Sequence, residues 1–169
     1  MTASTSLSWN DVPEPIRALA RWLTIVQLVG YTTALVFVRH TTGLTAAGAA
    51  VRYRGSEANA AEDAMQFAKS FAEMLNITHT HLLSMAAIFV FSGLALALCG
   101  RPSERWRRIL VIEPFAALLV SFSAMWLMRY VDARFSWLLA LSSSVLAATF
   151  YLQSFFILRE LRFSSRGTP

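Results

Sequence analysis

Four long apolar runs restrict the fold of this chain more than any other feature of its sequence. Residues 22–39, 80–99, 109–129 and 135–158 are almost entirely apolar, and the middle of each run carries no charge. An α-helix of about 20 apolar residues crosses the hydrocarbon layer of a membrane. Four equally apolar helices in a soluble protein of 169 residues would leave no polar face for water. The sequence therefore predicts an all-α integral membrane protein, a bundle of four transmembrane helices that forms a single membrane domain over residues 1–169.

The first connection, residues 41–78, is the longest segment between these runs. Its first part, residues 41–56, contains Gly43, Gly48 and Gly55, which predict an extended or irregular stretch packed on the mouth of the bundle. In residues 57–76, apolar side chains recur at helical spacing with charged residues between them. This second part predicts an extra amphipathic helix, which either lies on the membrane surface or continues into the second run.

Basic residues orient the predicted bundle. Nine of the fifteen precede the first run, fill the second connection or follow the fourth run: Arg17, Arg21, Arg101, Arg105, Arg107, Arg108, Arg159, Arg162 and Arg166. Since basic residues concentrate on the cytoplasmic side, they predict a bacterial inner-membrane protein with both termini cytoplasmic and residues 41–78 periplasmic. The net charge of +5 then reflects orientation, and no nucleic-acid partner is expected because the basic residues flank the runs instead of forming a stripe.

One alternative topology stays open. Arg17, Arg21, the first apolar run and the small residues 47–49 could form a signal peptide with its cleavage site. Arg39 and His40 interrupt the approach to that site, which favours an uncleaved first helix. Cleavage would remove His40.

All three histidines lie at the ends of runs that face the same side of the membrane. His40 ends the first run, and His79 and His81 open the second, each within about one helical turn of the predicted hydrocarbon boundary. Neutral imidazole binds haem iron, copper and zinc, and it exchanges protons near neutral pH. Residues two apart on a helix point about 200° away from each other, so His79 and His81 do not both face the bundle interior.

A haem b is the first candidate ligand of this histidine cluster. Met85 lies one turn beyond His81 on the same helix face, and His or Met axial pairs hold haem. His40 and His81, or His79 in place of either, would bracket the haem between the first two helices. Arginines at the same mouth would pair with its carboxylates. These arginines are Arg39, Arg52, Arg54, Arg129 and Arg134.

Other hypotheses use the same residues. The three histidines could instead bind copper or zinc, with Met74, Met85 or Glu73 as further ligands. Histidines at a membrane interface also snorkel or hydrogen-bond to a loop, in which case the site holds no cofactor. Proton handling and quinone binding complete the alternatives.

One carboxylate lies inside a run. Glu113 precedes Pro114 near the start of the third run, and an ionisable residue within a membrane span is a functional candidate. Arg108 is close in sequence, which favours a structural ion pair between the two. The sequence contains no phosphate-binding loop, nucleophile elbow, zinc-protease helix or dinucleotide fingerprint, so we do not expect an enzyme on its own.

From about residue 50 to the end, the sequence resembles small four-span bacterial inner-membrane proteins. The most specific shared element is Thr78-His79-Thr80-His81. The others are Tyr53-Arg54-Gly55, Lys69-Ser70, Glu73-Met74-Leu75, Met85, Pro114-Phe115, Trp126-Leu127 and Trp137. This resemblance implies a membrane fold and does not indicate an activity. More distantly, the chain is similar to four-helix membrane cytochromes b, which usually carry paired histidines at both membrane depths. With histidines at one depth only, that likeness implies at most one haem.

The sequence thus predicts a small inner-membrane subunit of a respiratory or redox assembly, with a haem b or metal at the histidine cluster. Its expected partners are membrane lipid and other membrane or periplasmic redox subunits. One alternative is a cofactor-free structural or assembly subunit that docks a periplasmic partner. Another is a metal-handling membrane protein.

Overall fold

The computed structural model describes residues 7–56 and 66–163, and every regular element in these residues is a helix. Four of the helices are long and apolar enough to cross a membrane, so the chain is the four-span helical bundle that the sequence predicts. A short 3-10 helix, Trp9–Asp11, precedes α1 (Glu14–Thr42), α2 (Ala46–Arg54), α3 (Phe71–Ala97), α4 (Glu104–Tyr130) and α5 (Phe135–Phe163). The four spanning helices are α1, α3, α4 and α5.

The two ends of the bundle carry different parts of the chain. The histidine end is where α1 ends and α3 begins; the terminal end is where α1 begins and α5 ends. Helix α4 packs on α3 and α5, α5 also contacts α1, and α2 lies across the histidine end against α1, α4 and α5. Only 6% of the apolar window of α1 is buried, compared with 28% or 39% for the other spans. Helix α1 therefore lies at the periphery and offers most of its surface to lipid.

The middle of the bundle is held by aromatic packing and by small residues. Tyr31 of α1 stacks on Phe150 of α5 with ring centroids 4.2 Å apart, and Phe89 of α3 meets Phe150 edge-on. Between α4 and α5, the hydroxyl of Ser121 donates to that of Ser142 across 2.8 Å. Small residues at such positions let helix backbones approach closely in a membrane.

The N-terminal segment closes the terminal end. The Trp9 side chain is buried, its indole Nε1–H donates to the carbonyl of Ala95 across 3.0 Å, and its backbone N–H donates to the carbonyl of Leu98. Cys99 is buried in the same apolar cluster. This segment is therefore anchored to the end of α3.

The structure corrects the expectation for residues 41–56, which are not extended: most of them form α2. Thr45 caps this helix by accepting a hydrogen bond from the N–H of Gly48, and alanines fill its first turns. Gly43 ends α1 in the left-handed conformation with φ 63°. A Cβ at Gly48 would collide with the carbonyl of Thr42. These glycines thus allow a tight reversal between two helices, whereas the sequence analysis took them as a sign of irregular chain.

The amphipathic helix predicted for residues 57–76 has a divided outcome. Residues 57–65 lie outside the described residues. Residues 66–70 are not helical, so the prediction is wrong for these five residues. Residues 71–76 form the first turns of α3, which confirms the version in which the helix continues into the second run. The helix begins there because the Ser70 hydroxyl accepts from the N–H of Glu73, while the Glu73 carboxylate accepts from the N–H of Ser70.

Candidate functional site

The three histidines are all exposed at the histidine end. His40 lies in the last turn of α1, and His79 and His81 lie near the start of α3. The Nδ1 atom of His81 is 3.0 Å from the carbonyl oxygen of Ile77 in its own helix. Within the structured part of the chain, the rings of His40 and His79 make no hydrogen bond. The imidazoles therefore face away from the bundle interior.

The predicted sulfur ligands, unlike the histidine rings, are wholly or partly buried. Met85 is half-buried and packs with Leu82 and Tyr31 in the middle of the bundle, and Met74 is fully buried against Met128. Among residues 7–56 and 66–163, no three His, Cys, Asp or Glu side chains come together as a metal site. The haem and metal ligand assignments remain predictions.

Two of the five predicted propionate-binding arginines hold the protein's own backbone. The Arg54 guanidinium donates to the carbonyl of Met128 across 2.8 Å, and Arg129 Nε donates to the carbonyl of Lys69 across 2.8 Å. The other three differ in exposure: Arg52 is half-buried, whereas Arg39 and Arg134 are exposed. Some arginines at this end therefore stabilise the fold, whereas others leave positive charge exposed.

A fixed segment covers the histidine end, and we call it the collar: α2 together with residues 55–56 and 66–70. The N–H of Lys69 donates to the carbonyl of Tyr53 across 3.0 Å. Ser56 and Gln66 exchange two hydrogen bonds of 2.9 Å, one between backbones and one from the Gln66 N–H to the Ser56 hydroxyl. Gly55 takes φ 91°, and a Cβ there would clash with the Gln66 carbonyl. With the two arginine contacts, these bonds hold the collar on the end of α4.

Tyr53 anchors the collar to the core. Its ring packs in the cluster that contains Met74, Met125 and Met128. Burial raises the pKa of the Tyr53 phenol above its ordinary value of 10.0, and neighbouring Arg52 opposes this only in part. The phenol is therefore neutral in the folded protein over the usual pH range.

The outer surface of the collar combines an exposed aromatic ring with basic charge. Phe67 is 83% exposed beside a cavity of about 280 Å³. The cavity is lined by Arg52, Gln66, Phe67, Ala68, Lys69 and Glu73. Lys69 pairs with Glu73 across 2.7 Å. Counting only described residues, the histidine end carries six basic side chains and two carboxylates. They are Arg39, Arg52, Arg54, Lys69, Arg129 and Arg134, with Glu73 and Asp132.

An aromatic group lies between the collar and the apolar parts of the helices. Trp126 stacks on Tyr130 and meets Phe71 edge-on, each with centroids 5.5 Å apart. The Trp126 indole donates to the Thr78 hydroxyl across 2.8 Å. Tryptophan and tyrosine favour the membrane–water interface. The collar therefore lies on the water side of this aromatic group.

A second polar group lies deep in the bundle, around Glu113. The predicted ion pair with Arg108 is wrong: no such pair exists in the described structure, and Arg108 is exposed whereas Glu113 Oε2 is buried without a hydrogen-bond partner. Residues five apart on a helix point about 140° away from each other, which explains why these two side chains separate.

The residue that completes this group was not among the sequence predictions. Pro114 has no N–H, so the carbonyl of Leu110 lacks its partner within α4. Gln153 of α5, which is fully buried, supplies one: its Nε2 donates to the Leu110 carbonyl across 2.7 Å. A proline and a glutamine inside two apolar runs were the available signal, because backbone groups freed in a membrane need another partner.

Fold and composition define a small integral membrane protein made of helices. A family model described as a transmembrane helical domain matches residues 43–168, well over half of the chain. The chain belongs to this family of transmembrane helical domains. Neither the curated proteins nor the solved structures gave a match to the chain. The family confirms the likeness to small membrane proteins, whereas the Thr-His-x-His motif and the likeness to cytochromes b stay predictions. Helix α1 precedes the matched segment.

Proposed function

We propose that this chain is a membrane-embedded docking subunit whose collar receives an acidic surface of a protein partner. The observation that carries the proposal is Phe67, an aromatic side chain 83% exposed on a segment that hydrogen bonds hold in place. Exposed aromatic rings are enriched in the cores of protein interfaces. A surface that is already ordered loses little conformational entropy when a partner binds.

Charge supports an acidic partner. Over the whole sequence, residues 39–81 and 129–134 carry six basic and five acidic residues, so the argument depends on the charge next to Phe67. Arg52 makes no ion pair among the described residues, whereas Lys69 pairs with Glu73. A basic side chain at such a position attracts acidic surfaces and suppresses basic ones, which contributes to the rate and specificity of association. Arg52 and Lys69 line the cavity beside Phe67, so apolar and charged contacts would occur together.

Crosslinking tests the docking role. We would place the photoreactive residue p-benzoylphenylalanine at Phe67, and at Trp106 as a matched control that is 60% exposed near the start of α4. In native membranes we expect a discrete protein adduct from position 67 and not from position 106. Arg52→Glu should reduce its yield several-fold. Lipid adducts alone from position 67, or a protein adduct that tolerates Arg52→Glu, would contradict the proposal.

The finer localisation is part of the same proposal. The nine basic residues that precede the first run, fill the second connection or follow the fourth run support a cytoplasmic position for both termini in a bacterial inner membrane, and hence a periplasmic collar. Alkaline phosphatase fused after Arg162 should be inactive in cells, and an active fusion would reverse the orientation.

A redox subunit with a haem b, copper or zinc is a second candidate function. The observation that favours it is the exposure of three imidazoles at one end. Both ring nitrogens of His40 and His79, and Nε2 of His81, are left accessible to a group shared with a partner. Absorption spectra of the purified protein, oxidised and dithionite-reduced, together with metal analysis, test this candidate. A Soret band lost in His81→Ala or His40→Ala, but kept in the control His79→Ala, would support haem ligation by that pair. A featureless spectrum from protein in native membranes, with no bound metal, would exclude it.

A further inference from the structure

Glu113 is the only charged residue in the apolar parts of the four spanning helices. Residues 22–38, 82–98 and 135–158 contain no Asp, Glu, Lys or Arg, and residues 109–128 contain Glu113 alone. Glu113 lies four residues beyond the start of the apolar part of α4 at residue 109, or about 6 Å along the axis at 1.5 Å per residue. An uncompensated carboxylate at such a depth is costly, so it needs either a partner or a bound positive charge.

Two more buried oxygens without partners among the described residues lie on α5, which packs on α4. The Leu110 carbonyl accepts and cannot donate, so the amide nitrogen of Gln153 must face it and the amide oxygen must face away. That oxygen, Gln153 Oε1, is buried and has no hydrogen-bond partner among the described residues. The same holds for Glu113 Oε2 and for the hydroxyl of Ser154. Leu110 and Glu113 lie in the same turn of α4, so the Gln153 amide reaches that turn.

The neighbouring helices supply no positive charge to this group. Tyr31 of α1 interacts electrostatically with Glu113 and with Tyr151 of α5. The side chains of Tyr31 and Tyr151 are phenols and carry no positive charge. Helix α3 carries no ionisable side chain from residue 82 to residue 98. Arg108, the nearest basic residue along α4, is exposed on another face of the helix. Among the described residues, three of the four buried side-chain atoms without a hydrogen-bond partner are the oxygens of this group. The fourth is Nε of Arg21, whose guanidinium donates to the carbonyl of Leu161, about 12 Å along α5 from Gln153 at 1.5 Å per residue.

We propose that Glu113, with Gln153 beside it, binds a small monovalent cation inside the membrane, either a proton or Na⁺. Carboxylate and amide oxygens are ligands for hard cations. One carboxylate balances one positive charge, whereas a divalent ion would leave an excess charge in surroundings of low dielectric constant. A proton on Glu113 would also turn the carboxyl group into a donor for a neighbouring acceptor oxygen.

Carbodiimide labelling of the full chain in lipid nanodiscs tests the site. These reagents react with protonated carboxyl groups in apolar surroundings, and the modified peptide is identified by mass spectrometry. We expect labelling at Glu113, its loss in Glu113→Gln, and no such loss in the control Glu104→Gln, which removes an exposed carboxylate from the same helix. Protection by sodium chloride, but not by choline chloride at equal ionic strength, would assign Na⁺. Protection by rising pH alone would assign the proton.

Two variants test whether Gln153 contributes. Gln153→Leu removes the unpaired oxygen and should weaken cation binding about tenfold, the size of effect that one hydrogen bond to a charged group produces. Half-protection should then need about tenfold more Na⁺ if sodium is bound, or should occur about one pH unit lower if the proton is bound. Ser154→Ala is a smaller change, and it is the test variant if Gln153→Leu does not fold. Ser144→Ala, on the exposed side of α5, is the control. The proposal is overturned if folded protein is not labelled at Glu113, if labelling ignores both pH and sodium, or if neither Gln153→Leu nor Ser154→Ala shifts the protection curve.

Discussion

Gln153 Nε2 donates a hydrogen bond to the backbone carbonyl of Leu110 across 2.7 Å, from one spanning helix to another. In a regular helix the N–H of residue 114 would fill that position, but Pro114 has none. A side chain of α5 thus replaces a backbone hydrogen bond of α4. The bond joins the two helices at the same depth as the candidate cation site.

The first prediction concerns this replacement. Gln153→Leu should lower the free energy of unfolding by about 1 to 3 kcal/mol, because it leaves a buried carbonyl without a donor. In a Pro114→Ala background the loss should be smaller, since alanine restores the N–H to Leu110. Unfolding in detergent, followed by tryptophan fluorescence, measures the four proteins of this double-mutant cycle. Equal losses in both backgrounds would show that the Leu110 carbonyl does not depend on Gln153.

The second prediction concerns the N-terminal anchor. Trp9→Ala should raise the rate of maleimide labelling at Cys99 by at least about tenfold, since removal of a buried aromatic side chain costs about 3 to 5 kcal/mol. Trp9 and the Cys99 thiol share one buried cluster. Trp106→Ala, near the same end but exposed, is the matched control and should leave the rate unchanged. An equal labelling rate in Trp9→Ala and in the unchanged protein would show that Trp9 does not shield the Cys99 thiol.

The third prediction concerns the collar. Arg129→Met should destabilise the protein by about 1 to 3 kcal/mol, because it removes the donor to the Lys69 carbonyl and the guanidinium that lies 4.8 Å from the Tyr130 ring centroid. It should also speed trypsin cleavage after Lys69. Arg134→Met is the control, since Arg134 is exposed and makes only a 3.6 Å ion pair. Similar effects of the two changes would argue against a specific role of Arg129.

The fourth prediction concerns pH. Because burial raises the pKa of Tyr53, the unfolded chain loses this proton before the folded protein does as the pH rises above 10.0. The stability that the neutral phenol contributes is therefore complete below that pH and is lost as the pH approaches the folded-state pKa. Tyr53→Phe should have little effect at neutral pH and should make the alkaline loss of stability less steep. Thermal unfolding in detergent across this pH range measures the difference, and parallel curves for the two proteins would contradict it.

The spanning helices could be predicted from the sequence because hydrocarbon selects long apolar runs. Each observed helix is nevertheless longer than its run: the second run was placed at residues 80–99, whereas α3 is Phe71–Ala97. Hydropathy marks the membrane layer, while the start of α3 is set by the hydrogen bonds between Ser70 and Glu73. Attention to that capping box would have placed the start correctly.

The short connections were harder to predict. Glycines in residues 41–56 indicated irregular chain, but Gly43 and Gly48 serve a close approach of α1 and α2 that only the three-dimensional structure reveals. The Arg108–Glu113 ion pair failed because closeness in sequence was not checked against helix rotation. The histidines were correctly grouped at one end, but sequence could not show that all three rings face outward.

The packing of α3 on α4 sets the level of the collar. Phe71, the first residue of α3, meets Trp126 in the last turns of α4, and Arg129 donates to the carbonyl of Lys69 beside it. The collar therefore lies level with the end of the apolar part of α4, and anything bound there is held next to the membrane surface. In a thicker or thinner membrane, the tilt of the spanning helices and the depth of the aromatic group would adjust first. The spacing between the bundle and a bound protein would thus be set by the contact between two helices.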